Sequence, residues 1–62
     1  MTPFSTNLKR LREAKEWTQA KLAKRSGVHV AAISHWELGR REPNHVNMER
    51  LKNALGCGWD DL

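Results

Sequence analysis

The side chains with the clearest capacity for chemistry are His29, His35, His45 and Cys57. A structural or catalytic metal asks for such ligands in pairs, spaced as C-x2-C or H-x3-H. No such pair is present. Asp60 and Asp61 are adjacent carboxylates. On a helix, sequence neighbours do not face one another, so these two do not converge as an acid and a base. No glycine-rich loop of the phosphate-cradling kind occurs. The expectation is a protein that is not an enzyme, with no metal, no cofactor and no small-molecule ligand.

What remains is cationic. Eleven Lys and Arg stand against seven Asp and Glu, for a net charge of +4 and a pI of about 9.9. The charge is uneven. Residues 1–41 hold nine cations against three glutamates, and residues 42–62 hold two against four carboxylates. A basic stretch of this kind is the footprint expected for a phosphate-backbone partner. It is also what an ordinary solvated basic surface looks like, and charge alone does not choose between them.

A chain of 62 residues makes one domain, here 1–62. Domains this small bury only about 60% of their unfolded surface, so the core must be compact. Hydrophobic residues make up 39%, too many for a disordered tail. The lone Cys57 excludes an intrachain disulfide and suits a reducing compartment. No apolar run approaches the ~20 residues of a membrane span, and no signal peptide is visible. The expected location is the cytoplasm, in association with the nucleoid. Internal repeats, low-complexity segments and interdomain linkers are not seen.

Five helical segments follow from periodicity, at roughly 5–15, 18–25, 29–38, 46–55 and 59–62, which makes the fold all-α. In the first, Ser5 or Thr6 is the expected cap, and Phe4, Leu8 and Leu11 form one stripe. Trp17 closes the segment and is expected to pack on the second helix. Thr18 is a good N-cap there. Gly27 supplies a residue able to take positive φ where that helix stops, with Val28 as an apolar plug. The third helix turns Ile33 and Trp36 inward, leaving His29, Val30, Ala31, Ser34 and His35 outward. Gly39 ends it. Met48, Leu51 and Leu55 form the stripe of the fourth, Gly56 stops it, and Cys57 is read as core. Trp59 to Leu62 read as the first turn of a short fifth helix. Two short helices joined through a glycine-containing turn describe a helix-turn-helix.

These residues resemble a known family. The run Thr18-Gln19-x-x-Leu22-Ala23, then Gly27-Val28, then Ile33-Ser34-x-Trp36-Glu37-x-Gly39-Arg40-Arg41-x-Pro43 is similar to the phage-repressor and Cro-type (XRE-like) helix-turn-helix domains. The likeness begins at Leu8-Lys9-Arg10-Leu11-Arg12 and ends at Trp59-Asp60-Asp61-Leu62, so it covers nearly the whole chain. It implies a compact five-helix repressor-like domain in which the second and third helices form the DNA-binding unit. It implies a transcriptional regulator, in the repressor style, that binds duplex DNA as a homodimer.

The resemblance also assigns roles. His29, Val30, Ala31, Ser34 and His35 occupy the base-reading positions of the third helix. Thr18, Gln19, Arg40, Arg41 and Asn44 fall at or near the DNA backbone, with His45 a further groove candidate. Arg12 and Glu37 match a mostly buried ion pair; the alternative is two unpaired surface charges. Lys21, Lys24 and Arg25 are either steering charges or solvated ones, with at least two of them solvated. Trp59 and Leu62 fall on the dimer surface, which is either cut short or completed by another chain. One departure stands out. The bidentate readers, Arg for guanine and Asn or Gln for adenine, are missing from the third helix. Val30 and Ala31 offer only apolar contact, suited to thymine methyls. A second class of function therefore stays open: a helix-turn-helix module that binds protein, as an antitoxin or adaptor, with weak or no specific DNA binding.

Overall fold

A computed structural model describes residues 3–58 and 61–62. Four α-helices follow one another: α1 (Pro3–Ala14), α2 (Gln19–Ser26), α3 (Val30–Glu37) and α4 (His45–Leu55). Each N-terminus has a physical cause. Proline needs no amide partner and is pre-set for helical φ, so Pro3 opens α1. The start at Pro3 overturns the expected cap at Ser5 or Thr6: Ser5 lies inside the helix, fully buried. The Thr18 hydroxyl accepts from the Lys21 amide at 3.1 Å and opens α2. The Asn44 side chain accepts from the Asn47 amide at 2.9 Å and opens α4.

The C-termini are closed by left-handed residues. Gly27 takes φ 77° and donates to the Ala23 carbonyl at 2.9 Å. Gly39 takes φ 74°; its amide donates to Trp36 O at 3.1 Å and that of Arg40 to His35 O at 3.0 Å. This double bond pattern is the Schellman closure of a helix. The end of α1 uses the same pattern without a glycine. Glu16 sits at φ 58°, donating to Glu13 O at 2.9 Å, while Trp17 donates to Arg12 O at 3.3 Å.

The core gathers one stripe from each helix: Phe4 and Leu8 of α1, Leu22 of α2, Ile33 and Trp36 of α3, and Leu51 and Leu55 of α4. Leu11, Trp17, Val28, Met48, Cys57 and Leu62 pack around it, partly exposed. α3 lies against both α1 and α2, and α2 also meets α4. Thus α3 is held from behind by two helices.

The expected fifth helix is corrected to four among the described residues. Trp59 and Asp60 lie outside them. Of the flanking residues, Asp61 donates its amide to Gly58 O at 3.1 Å, and Gly58 donates to the Asp61 carboxylate at 2.9 Å. The other boundaries move by at most two residues, with His29 and Asn44 acting as caps just outside α3 and α4.

Candidate nucleic-acid interface

The geometry that aims α3 starts behind it. Arg12 donates from Nε to Glu37 Oε2 at 2.7 Å and from Nη2 to Glu37 Oε1 at 3.0 Å. Its third donor, Nη1, reaches the Trp17 carbonyl at 2.6 Å. Gln19 adds an amide N–H to Glu37 Oε1 at 3.1 Å. Glu37 is 5% exposed, so this carboxylate is stripped of water and repaid with three hydrogen bonds. Hydrogen bonding to Glu37 raises the Arg12 pKa, against the opposing effect of burial. The network joins α1, the start of α2 and the end of α3.

The opposite face of α3 is open. Val30, Ala31 and His35 are exposed and Ser34 is half-buried. His29, Ala31 and His35 share one open concavity with Arg41, Glu42, Asn44 and Asn47, supplied by the following loop and the first turn of α4. Arg40 and Arg41 are both exposed, directly past the Gly39 turn that ends α3.

Several of the expected contact residues also serve as caps or braces. Thr18 caps α2 through its oxygen and keeps its hydroxyl proton. Gln19 spends one amide N–H on Glu37 and retains the second. Asn44 caps α4 with Oδ1, leaving its NH2 as donor. His29 is the cap of α3 itself, its Nδ1 accepting the Ala31 amide at 3.1 Å. His45 stands 3.8 Å from Glu49 on the exposed side of α4. Of the α2 cations, Arg25 lies 5.7 Å from the centre of the Trp17 ring, with Lys15 at 5.3 Å.

Two polar residues of the concavity were not expected at the site: Glu42 and Asn47. Their signal was Asn44. Read as an N-cap, it places the first turn of α4 beside the loop and so beside α3. Of the two residues expected on the dimer surface, Leu62 lies among those described. It is half-buried against the core, and its carbonyl accepts from the Asn7 side chain at 3.4 Å. Trp59 lies outside the described residues.

Elsewhere there is little reactive chemistry. Burial, then the nearby Asp61 carboxylate, pushes the Cys57 thiol above its usual range and disfavours the thiolate. Among the described residues no cluster of three or more His, Cys, Asp or Glu is placed to hold a metal ion. No helix among them is long and apolar enough to cross a membrane.

Two helices meeting through a left-handed glycine turn, with the second braced behind and bare in front, define a helix-turn-helix protein. Comparison with known proteins agrees. The family model described as helix-turn-helix matches residues 8–62, and the chain belongs to that family. The HTH-type transcriptional regulator YqaE of Bacillus subtilis is 37% identical over 59 residues, covering 95% of this chain and 51% of that protein. Repressor protein C2 of Salmonella phage P22 is 48% identical over 44 residues, covering 71% of this chain and 20% of the repressor. The chain therefore spans about half, or less, of the length of these relatives. The crystal structure of the restriction-modification controller protein C.AhdI from Aeromonas hydrophila superposes with a TM-score of 0.90 at 32% identity, covering 95% of this chain and 89% of that one.

Proposed function

We propose that this chain binds duplex DNA as a transcriptional regulator of the repressor type, with α3 seated in the major groove. The observation that carries the reading is the two-sided character of α3. Its inner face is fixed by Ile33, Trp36 and the Arg12–Glu37 pair, and its outer face shares a concavity with Arg41. A rigid helix offered at its N-terminal half beside loop cations is the docking geometry of this motif. Relatives named as transcriptional regulators and a phage repressor support it.

Within that reading, His29, Val30, Ala31, Ser34 and His35 face base edges. Arg40 and Arg41, with spare donors from Thr18, Gln19 and Asn44, meet phosphates. The Cα atoms fit within 24 × 22 × 22 Å, and half-sites one helical turn apart are separated by about 34–36 Å. One copy covers one half-site, so a full operator takes two, as a homodimer whose contacts involve the Trp59–Leu62 end. The chain acts in the cytoplasm, at the nucleoid.

The test is binding to a random-sequence duplex pool across a salt series. Docking on phosphates predicts a steep fall of affinity with salt and enrichment of a two-fold-related sequence. Salt-insensitive behaviour with no enrichment would instead mark a protein-binding module.

A further inference from the structure

We propose that His29 is a positioning residue for α3 that works only in its neutral form, so that a proton taken up there opposes seating of the helix on DNA. The inference rests on the docking reading above. His29 precedes α3 in extended backbone, φ −73° and ψ 139°, and its Nδ1 accepts the Ala31 amide at 3.1 Å. A ring nitrogen accepts only while it keeps its lone pair, which requires the neutral ring with its proton on Nε2. A proton on Nδ1 turns the acceptor into a donor facing another donor. It also places a full positive charge at the helix end where the dipole and unpaired amides already disfavour one.

Both effects have the same sign. A proton on Nδ1 and the capped first turn of α3 therefore exclude one another. The helix is eight residues long, and Val30 and Ala31 stand in its first turn. Fraying that turn displaces two of the side chains offered to the groove. The other charged and titratable groups of the same concavity are His35 of α3 and Arg41 and Glu42 of the loop; Asn44 and Asn47 are neutral. The sign is also diagnostic, because added positive charge by itself would tighten binding to phosphate.

The experiment compares the wild type with His29→Asn, a non-titrating cap, and His29→Ala, which has none. Each is titrated with a duplex selected by the wild type from a random pool, at about pH 8 and about pH 5.5, which bracket the ordinary histidine range. Relative to His29→Asn, wild-type affinity is expected to fall roughly fivefold at the lower pH, the size of one N-cap interaction. His29→Ala should bind more weakly than both at the higher pH and show no such extra fall. In the DNA-free wild type, the Ala31 amide resonance should move in step with titration of the His29 ring. Equal pH dependence in the wild type and His29→Asn, or an Ala31 amide indifferent to the ring, overturns the proposal. Should no duplex be selected, the docking reading falls by itself, and the Ala31 amide still decides the cap.

Discussion

Arg12 and Glu37, 25 positions apart in the sequence, close a two-pronged ion pair in which the guanidinium fork spans both carboxylate oxygens at 2.7 and 3.0 Å. The pair fixes the rotation of α3 about its own axis, since Glu37 is its last residue and is held from α1 and α2 at once. Glu37→Gln strands the guanidinium in a site 11% exposed. Breaking one side of a buried pair costs about 3–5 kcal/mol. For a domain this small each kcal/mol is worth about 4–8 °C in Tm. A fall of roughly 12 °C or more in a thermal melt is expected; an unchanged melt would mean that the pair is solvated.

The two faces of α3 should respond differently to the same kind of truncation. Ile33 is fully buried, while Val30 is 40% exposed. Ile33→Ala removes contacts on every side and leaves a cavity, at a cost of about 2–5 kcal/mol. Val30→Ala should cost less than about 1 kcal/mol in chemical denaturation, yet change DNA binding. Similar losses at both positions would show that α3 is rotated from the orientation described.

Strain at the end of α1 can be relieved. Glu16 carries φ 58° with a side chain, in a position where helices ordinarily place glycine. The left-handed region costs an L-residue roughly 1–2 kcal/mol, part of which glycine gives back through its freer unfolded chain. Glu16→Gly should therefore stabilise by about 0.5–1 kcal/mol, measured as a higher denaturant midpoint at unchanged slope.

Much of this was legible in the residues, for reasons that differ by position. Thr18, Gly27, Gly39 and Gly56 announce helix ends because their side chains, or the lack of one, do what helix ends need. The matched stripes gave the core, since Leu8, Leu22, Ile33, Leu51 and Leu55 recur at helical spacing. Arg12–Glu37 came from resemblance; nothing local in the sequence links positions so far apart. Ser5 misled because it has the chemistry of a cap, while Pro3 two residues earlier already suffices to open the helix. His29 as a cap was hidden, since Ser, Thr, Asp and Asn are the usual N-caps and histidine is not. Glu16 was hidden for the converse reason: its backbone contradicts its residue type.

Glu42 puts a carboxylate into the concavity that Arg41 and His35 also line. Next to phosphates it is repulsive, and no ion pair among the described residues engages it. Glu42→Gln should tighten binding to mixed-sequence DNA by roughly two- to fivefold at low salt, with the gain vanishing in high salt, as expected for an exposed charge. A gain that persists at high salt would point to a packing effect in its place.

The last prediction separates affinity from preference within the same face. Arg40 and Arg41 leave α3 through a glycine turn and are exposed; in the proposed docking they meet phosphates, which carry no sequence information. Ala31, Ser34 and His35 stand on the helix itself. Arg41→Ala should weaken binding by a similar factor on every duplex and reduce the salt slope by about one unit, since one fewer counterion is released. Ala31→Val or Ser34→Ala should leave the slope unchanged and re-rank sequences, by selection from a random pool. The readers are short, and none is a bidentate arginine or amide. Discrimination per base pair should accordingly lie at or below the usual ~1–3 kcal/mol, with DNA shape supplying more of the total. If Arg41→Ala re-ranks sequences while Ser34→Ala acts uniformly, the docking face is not the one carried by α3.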